Sequence, residues 1–195
     1  MTAALVLASG SPRRHDLLAQ LGVPFDVIVS DVAEQRRDGE APQVFAQRMA
    51  REKALAVAKR HPARCVLGAD TIVVLDDAIL TKPVDRADAR RMLRALSGRW
   101  HHVLTAVALI DRAGGLDEIL GESAVQFRVL EADEIETYLD TGEAYDKAGA
   151  YALQGLAKPF VIAVRGSRSN VIGLPLEEVA ALLRQRVPEY AGDAA

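Results

Sequence analysis

Apolar segments of two periodicities follow one another along the chain, and this alternation constrains it to an α/β architecture more tightly than any other feature. The first block sets the pattern. Leu5 to Ala8 reads as a buried strand, Ser9-Gly10-Ser11 as a turn, and Pro12 to Leu21 as a helix with Leu17, Leu18 and Leu21 on one face. Ser11 is expected as its N-cap, Pro12 as its first helical residue and Gly22 as its stop. Phe25 to Val29 then reads as a strand, Asp31 to Glu40 as a polar surface loop and Pro42 to Arg60 as a helix. Cys65 to Leu75, rich in Val, Ile and Leu, is expected as a central strand that turns at Asp76-Asp77 into Ala78 to Leu80. Asp85 to Leu96 reads as a helix ended by Gly98, and His102 to Asp111 with Ile119 to Leu130 as a long hairpin around Gly114-Gly115. A helix over Glu131 to Leu139, a strand over Phe160 to Val164 and a helix over Leu174 to Val187 complete the order. The expectation is a mixed β-sheet with helices on both sides.

With 195 residues, half of them apolar, and a mean hydropathy of +0.06, the chain is a globular one for which a single or two-lobed domain is the natural size. Its longest apolar stretches, such as Ala3 to Ala8, fall far short of the ~20 residues of a membrane span, and no positive charge precedes that run as it would in a signal peptide. A cytoplasmic protein without a membrane partner is expected. The single cysteine, Cys65, excludes an internal disulfide, and the histidines lack zinc-site spacing, so that any metal would be held by carboxylates. A net charge of -3, a pI near 5.8 and few aromatic residues argue against a nucleic-acid-binding surface.

Chemistry concentrates at a few points. Ser9-Gly10-Ser11-Pro12-Arg13-Arg14 places two hydroxyls, free amides and two guanidiniums at a helix N-terminus, where an anion is favoured and cations without one are not. That combination suits a phosphate. Asp70-Thr71 interrupts the most apolar strand, and an unpaired carboxylate buried there would cost several kcal/mol. A divalent metal or a nearby lysine would satisfy it. Glu34, in the polar loop, would complete an oxygen-rich magnesium site if it met Asp70 in space. The chain has only five lysines, among them Lys53, Lys82 in Thr81-Lys82-Pro83 and Lys147 in a glycine-bearing loop, and these are candidate phosphate contacts. His102 and Cys65 read as structural.

Taken together, Leu7 to Arg14, Gly68-Ala69-Asp70-Thr71, Lys82-Pro83, Leu96-Ser97-Gly98, Asp146 to Tyr151, Gln154-Gly155 and the closing Gly173-Leu174-Pro175-Leu176 resemble the Maf family of nucleoside triphosphate pyrophosphatases over Leu5 to about Leu183. The resemblance implies an α/β fold similar to that of inosine triphosphate pyrophosphatases, with a cleft between two lobes; one domain over residues 1–195 is expected, with a disordered tail over about residues 188–195. It implies a homodimer, a divalent cation (magnesium or manganese), and hydrolysis of a nucleoside triphosphate to the monophosphate and pyrophosphate. Some members are linked to arrest of cell division, which leaves a nucleotide-binding regulator as the competing class. Matched to the family pattern, Asp70 is the proton acceptor and, with Glu34, a metal-side carboxylate. Ser11, Arg14, Lys53 and Lys82 match phosphate contacts, to which Ser9 and Lys147 are added as candidates. Arg13, Thr71 and Gln154 match positions tied to substrate choice. The Asp146 to Tyr151 block followed by Gln154 is similar to the branch acting on dTTP and UTP rather than the one preferring N7-methylated GTP. The chain departs from the usual pattern at Ala144-Tyr145, where many relatives carry proline after the glutamate.

Overall fold

The computed structural model describes residues 3–187 and Tyr190, and the tail expected over residues 188–195 lies, apart from Tyr190, outside them. The elements run β1 (Leu5–Leu7), α1 (Pro12–Ala19), β2 (Phe25–Val27), α2 (Pro42–Ala58), β3 (Cys65–Leu75), β4 (Ala78–Leu80), α3 (Arg86–Leu96), β5 (Trp100–Ile110), β6 (Leu116–Phe127), α4 (Ala132–Asp140), β7 (Val161–Arg165), α5 (Arg168–Ile172) and α6 (Leu176–Arg186). The sheet has seven strands in the order β2-β1-β3-β5-β6-β7, with β4 paired to β3. Strand β1 is parallel to β2 and β3, whereas β4 and β7 run antiparallel to β3 and β6. The expected mixed sheet with flanking helices is therefore present.

The chain divides into two compact units. The first holds the residues up to Asp70, Thr105–Gly121 and the chain from Gly173 on; the second holds Thr71–Leu104 and Glu122–Ile172. The first unit owes its close packing to β3. A Cβ on Gly68 would lie 2.4 Å from the Ala50 carbonyl oxygen and 2.7 Å from the Ala54 nitrogen, so helix α2 rests its backbone directly on the strand. The face it buries carries Phe45, Ala46, Met49, Ala50, Ala54 and Val57, and among them a single charged residue, Lys53. A lysine on a buried apolar stripe needs a partner, and the site described below supplies two.

The second unit closes on a core that includes Val73, Met92, Leu93, Leu96, Phe127, Ile135, Tyr138, Tyr151 and Phe160. Within it His101, rather than the expected His102, is the packed histidine. It is buried, meets Phe127 and Tyr151 edge-on, and shares a 2.8 Å hydrogen bond between Nε2 and the Tyr151 hydroxyl. Burial pulls its pKa down to about 3, so the ring is neutral. His102 is exposed and pairs with Glu122 at 2.7 Å. The difference follows from strand alternation, because adjacent residues of β5 face opposite sides and His101 falls on the buried one.

Other boundaries moved by a few residues, as edges set by pairing rather than by local pattern do. The chain between α4 and β7 holds short 3-10 turns at Glu143–Asp146, Ala148–Ala150 and Lys158–Phe160, and the five-residue α5 follows β7. None of these carries enough apolar periodicity to be read beforehand. Ser11 occupies the N-cap position of α1 but makes no side-chain capping bond; its amide instead donates to Ser9 Oγ at 3.3 Å. No helix among the described residues is long and apolar enough to cross a membrane.

Candidate active site

In the first unit, β1 ends at Leu7 and the chain passes through Ser9 into α1, whose first turn holds Arg13 and Arg14 and no acidic residue. Ser9 is buried, and Arg14 reaches back to it with Nη1 at 3.2 Å while its Nε donates to the Gly173 carbonyl at 3.0 Å. The guanidinium is thereby held by groups from both ends of the chain. Desolvation pulls its pKa below the ordinary arginine value, the nearby carboxylates of Asp70 and Glu34 oppose that shift, and Arg13 adds to it. A positive field thus stands over a helix N-terminus that itself attracts anions.

Asp70, which ends the first segment of this unit, is 5% exposed. Lys53 Nζ lies 2.6 Å from Asp70 Oδ1 and 2.6 Å from Glu34 Oε1. The cation required beside the buried aspartate is therefore this lysine, one of the two possibilities the sequence left open. Burial pushes the Asp70 carboxyl above the ordinary carboxylate range; the charges of Lys53 and then Arg14 pull against that rise, and Glu34 adds to it. The carboxyl thus holds a proton more readily than an exposed aspartate does.

Glu34 sits on a loop that would be mobile without anchorage. Glu40 provides it. The Glu40 carboxylate, nearly buried, takes Arg48 Nε at 2.6 Å and Arg48 Nη2 at 2.7 Å, and accepts the Arg37 amide at 3.1 Å. Arg48 Nη2 also donates to the Gln35 carbonyl at 2.9 Å, while Arg36 closes on the Glu40 carbonyl with Nε at 2.8 Å. The loop is thus stapled to α2, the helix that presents Lys53. Glu40 and Arg48 have no recognisable pattern in sequence beyond a charged loop before a helix.

The Asp70 and Glu34 oxygens converge on one positive charge, and hard carboxylate donors of this kind suit magnesium or manganese. No group of three or more His, Cys, Asp or Glu side chains suited to a metal occurs among the described residues. Two protein carboxylates with the remaining positions left to phosphate and water is the usual magnesium arrangement in phosphoryl enzymes, so the residues fit the cation expected.

Of the remaining candidates, Thr71, Lys82, Lys147 and Gln154 belong to the second unit. Thr71 is half-buried on β3, and Lys82 and Gln154 are exposed. Gly149, at φ +68°, approaches Val73 so closely that a Cβ would lie 2.9 Å from its Cγ2, and its amide donates to the Thr81 carbonyl at 3.2 Å. The Thr81-Lys82-Pro83 and Asp146 to Tyr151 blocks, separate in sequence, are therefore joined. Ala150 holds φ +62°, a left-handed conformation that costs about 1 kcal/mol or more for a residue with a Cβ and is usually retained at functional loops. Lys147 Nζ donates to the Glu143 carbonyl at 2.7 Å and pairs with Asp146. The unusual Ala144 is fully buried and still supports the 3-10 turn.

The sequence pattern of the Maf-like protein family matches residues 4–186. The chain belongs to that family. A dTTP/UTP pyrophosphatase of Symbiobacterium thermophilum is 46% identical over 193 residues, which cover 97% of this chain and 98% of that protein. Another of that name, from Yersinia pestis, is 52% identical over 92% of this chain and 91% of its own length. A solved dITP/XTP pyrophosphatase from Mycobacterium abscessus superposes with a TM-score of 0.48 at 16% identity, covering 96% of both chains. The motif blocks quoted above all fall within the stretch matched to the Maf-like family.

Proposed function

We propose that this Maf-like protein is a nucleoside triphosphate pyrophosphatase that hydrolyses dTTP and UTP to the nucleoside monophosphate and pyrophosphate. The observation that carries the reading is the Asp70–Lys53–Glu34 cluster beside Arg14, buried at Asp70 and Lys53, in a chain whose relatives bear that name. A water oxygen attacks the α-phosphorus, the bond from that phosphorus to the oxygen bridging toward the β-phosphorus breaks, and pyrophosphate leaves with the electron pair. The proton of the water passes to Asp70, whose raised affinity for it supports that role. Lys53 keeps Asp70 and Glu34 aligned while they are ionised, and Arg14 offers charge to the phosphates.

A magnesium or manganese ion held by Asp70 and Glu34 would polarise phosphate oxygens. The family resemblance supports phosphate contacts for Ser11 and Lys82, to which Ser9 and Lys147 are added as candidates, and roles in base choice for Arg13, Thr71 and Gln154, whose amide offers both a donor and an acceptor to a pyrimidine edge. It also supports a homodimer and a cytoplasmic location.

The test is a panel of UTP, dTTP, CTP, ITP, GTP and N7-methyl-GTP with magnesium or manganese, read as monophosphate and pyrophosphate released. Release from UTP and dTTP that disappears in Asp70→Asn with an unchanged fold is the expected result. Turnover confined to N7-methyl-GTP would overturn the base assignment, and undiminished turnover in Asp70→Asn would overturn the role of that carboxylate.

A further inference from the structure

Gln154, to which base choice is assigned above, sits in an exposed turn with no regular element to hold it. What holds the turn is Glu143. Its Oε2 accepts the Leu156 amide at 2.9 Å, its Oε1 accepts the Tyr138 hydroxyl at 3.1 Å, and its carbonyl accepts Lys147 Nζ at 2.7 Å. Gly155, between Gln154 and Leu156, makes this possible: a Cβ there would stand 2.3 Å from both carboxylate oxygens of Glu143. Since Tyr138 is buried on α4, the carboxylate is braced from the core side and presents its second oxygen to the turn. The Glu143 side chain thus ties the segment bearing Gln154 to α4, while its main-chain carbonyl receives Lys147.

We propose that Glu143 is a positioning residue for substrate choice, its carboxylate fixing the Gln154–Leu156 turn so that the Gln154 amide meets the base in one orientation. The inference rests on the assignment of base choice to Gln154. Removing Glu143 frees the turn and lets the amide reorient, which weakens discrimination more than it weakens chemistry.

Two measurements on the full-length protein decide it. Steady-state kinetics on UTP and GTP should show that Glu143→Ala lowers the UTP preference by roughly tenfold, chiefly through KM, while kcat changes little. Glu143→Gln should restore most of it, because its amide oxygen still accepts the Leu156 N–H. In a Gln154→Ala background, Glu143→Ala should change the preference no further. Backbone hydrogen exchange should show the Leu156 amide exchanging about tenfold faster in Glu143→Ala than in the wild type. If Glu143→Ala does not fold, Gly155→Ala replaces it, since the added methyl drives the carboxylate off Leu156 without removing either side chain. An unchanged UTP preference in the folded variant, or an unchanged Leu156 exchange rate, overturns the proposal. A wild type indifferent between UTP and GTP overturns instead the role given to Gln154, and the exchange comparison still decides whether Glu143 anchors the turn.

Discussion

Gly68→Ala tests whether the cluster depends on backbone contact between α2 and β3. The added methyl would stand 2.4 Å from the Ala50 carbonyl oxygen, 2.7 Å from the Ala54 nitrogen and 2.9 Å from the Ala54 Cβ. A carbon–oxygen contact relaxes only near about 3.3 Å, so the helix must withdraw by roughly 1 Å, and no rotamer change helps because two of the three opposing atoms are backbone. The bond from Lys53 Nζ to Asp70 Oδ1, now 2.6 Å, then opens beyond hydrogen-bonding range. Overpacking of this kind costs about 1–3 kcal/mol, and the weakened buried pair adds to it. For a chain of this size each kcal/mol lowers Tm by about 2–4 °C, so thermal unfolding should show a drop of roughly 5–10 °C. A displacement near 1 Å at the reacting groups should lower kcat/KM for UTP by about a hundredfold. Adding Ala54→Gly removes the Cβ contact but neither backbone contact and should restore little. Wild-type Tm and turnover in Gly68→Ala would refute the reasoning, and full recovery with Ala54→Gly would move the cause from the helix backbone to one methyl group.

Two further expectations concern proton affinity. Lys53 pulls the Asp70 pKa down, so Lys53→Met should raise it further and move the acid limb of the kcat/KM profile to higher pH; an unmoved limb would remove Lys53 from the reaction. His101 has a folded pKa near 3 against an ordinary 6.5, so between these values the unfolded chain binds the extra proton. The stability it supports is present above pH 6.5 and lost as pH falls toward 3, and His101→Phe should flatten the dependence of Tm on pH across that window. Parallel curves would show that the histidine is not the group responsible.

Where local chemistry determined the outcome, it was readable. The apolar run of Cys65 to Leu75, the proline-led start of α1 and the aspartate that opens α3 state their own structure, and Asp85 does accept the Asp88 amide at 2.7 Å. The path from α4 to β7 was not readable, because its short turns are held by Glu143, by the close approach of Gly149 to Val73 and by the left-handed Ala150. These are tertiary constraints on residues with no periodicity. The histidine pair shows the same limit at single-residue scale: which ring is buried depends on the face that each takes in β5, and strand register decides that.

The cation beside Asp70 is the sharpest instance. Sequence alone required positive charge at a buried aspartate but could not distinguish a metal from a lysine, since Lys53 stands seventeen positions away on another element. The choice is made by Gly68 and the small residues Ala50 and Ala54, which let α2 lie against β3 at backbone distance and carry Lys53 to within 2.6 Å of the carboxylate. Under the proposed function metal and lysine are not rivals. A lysine that neutralises two converging carboxylates offsets much of the repulsion that would otherwise separate them before substrate arrives, and would keep them close enough to share a divalent ion.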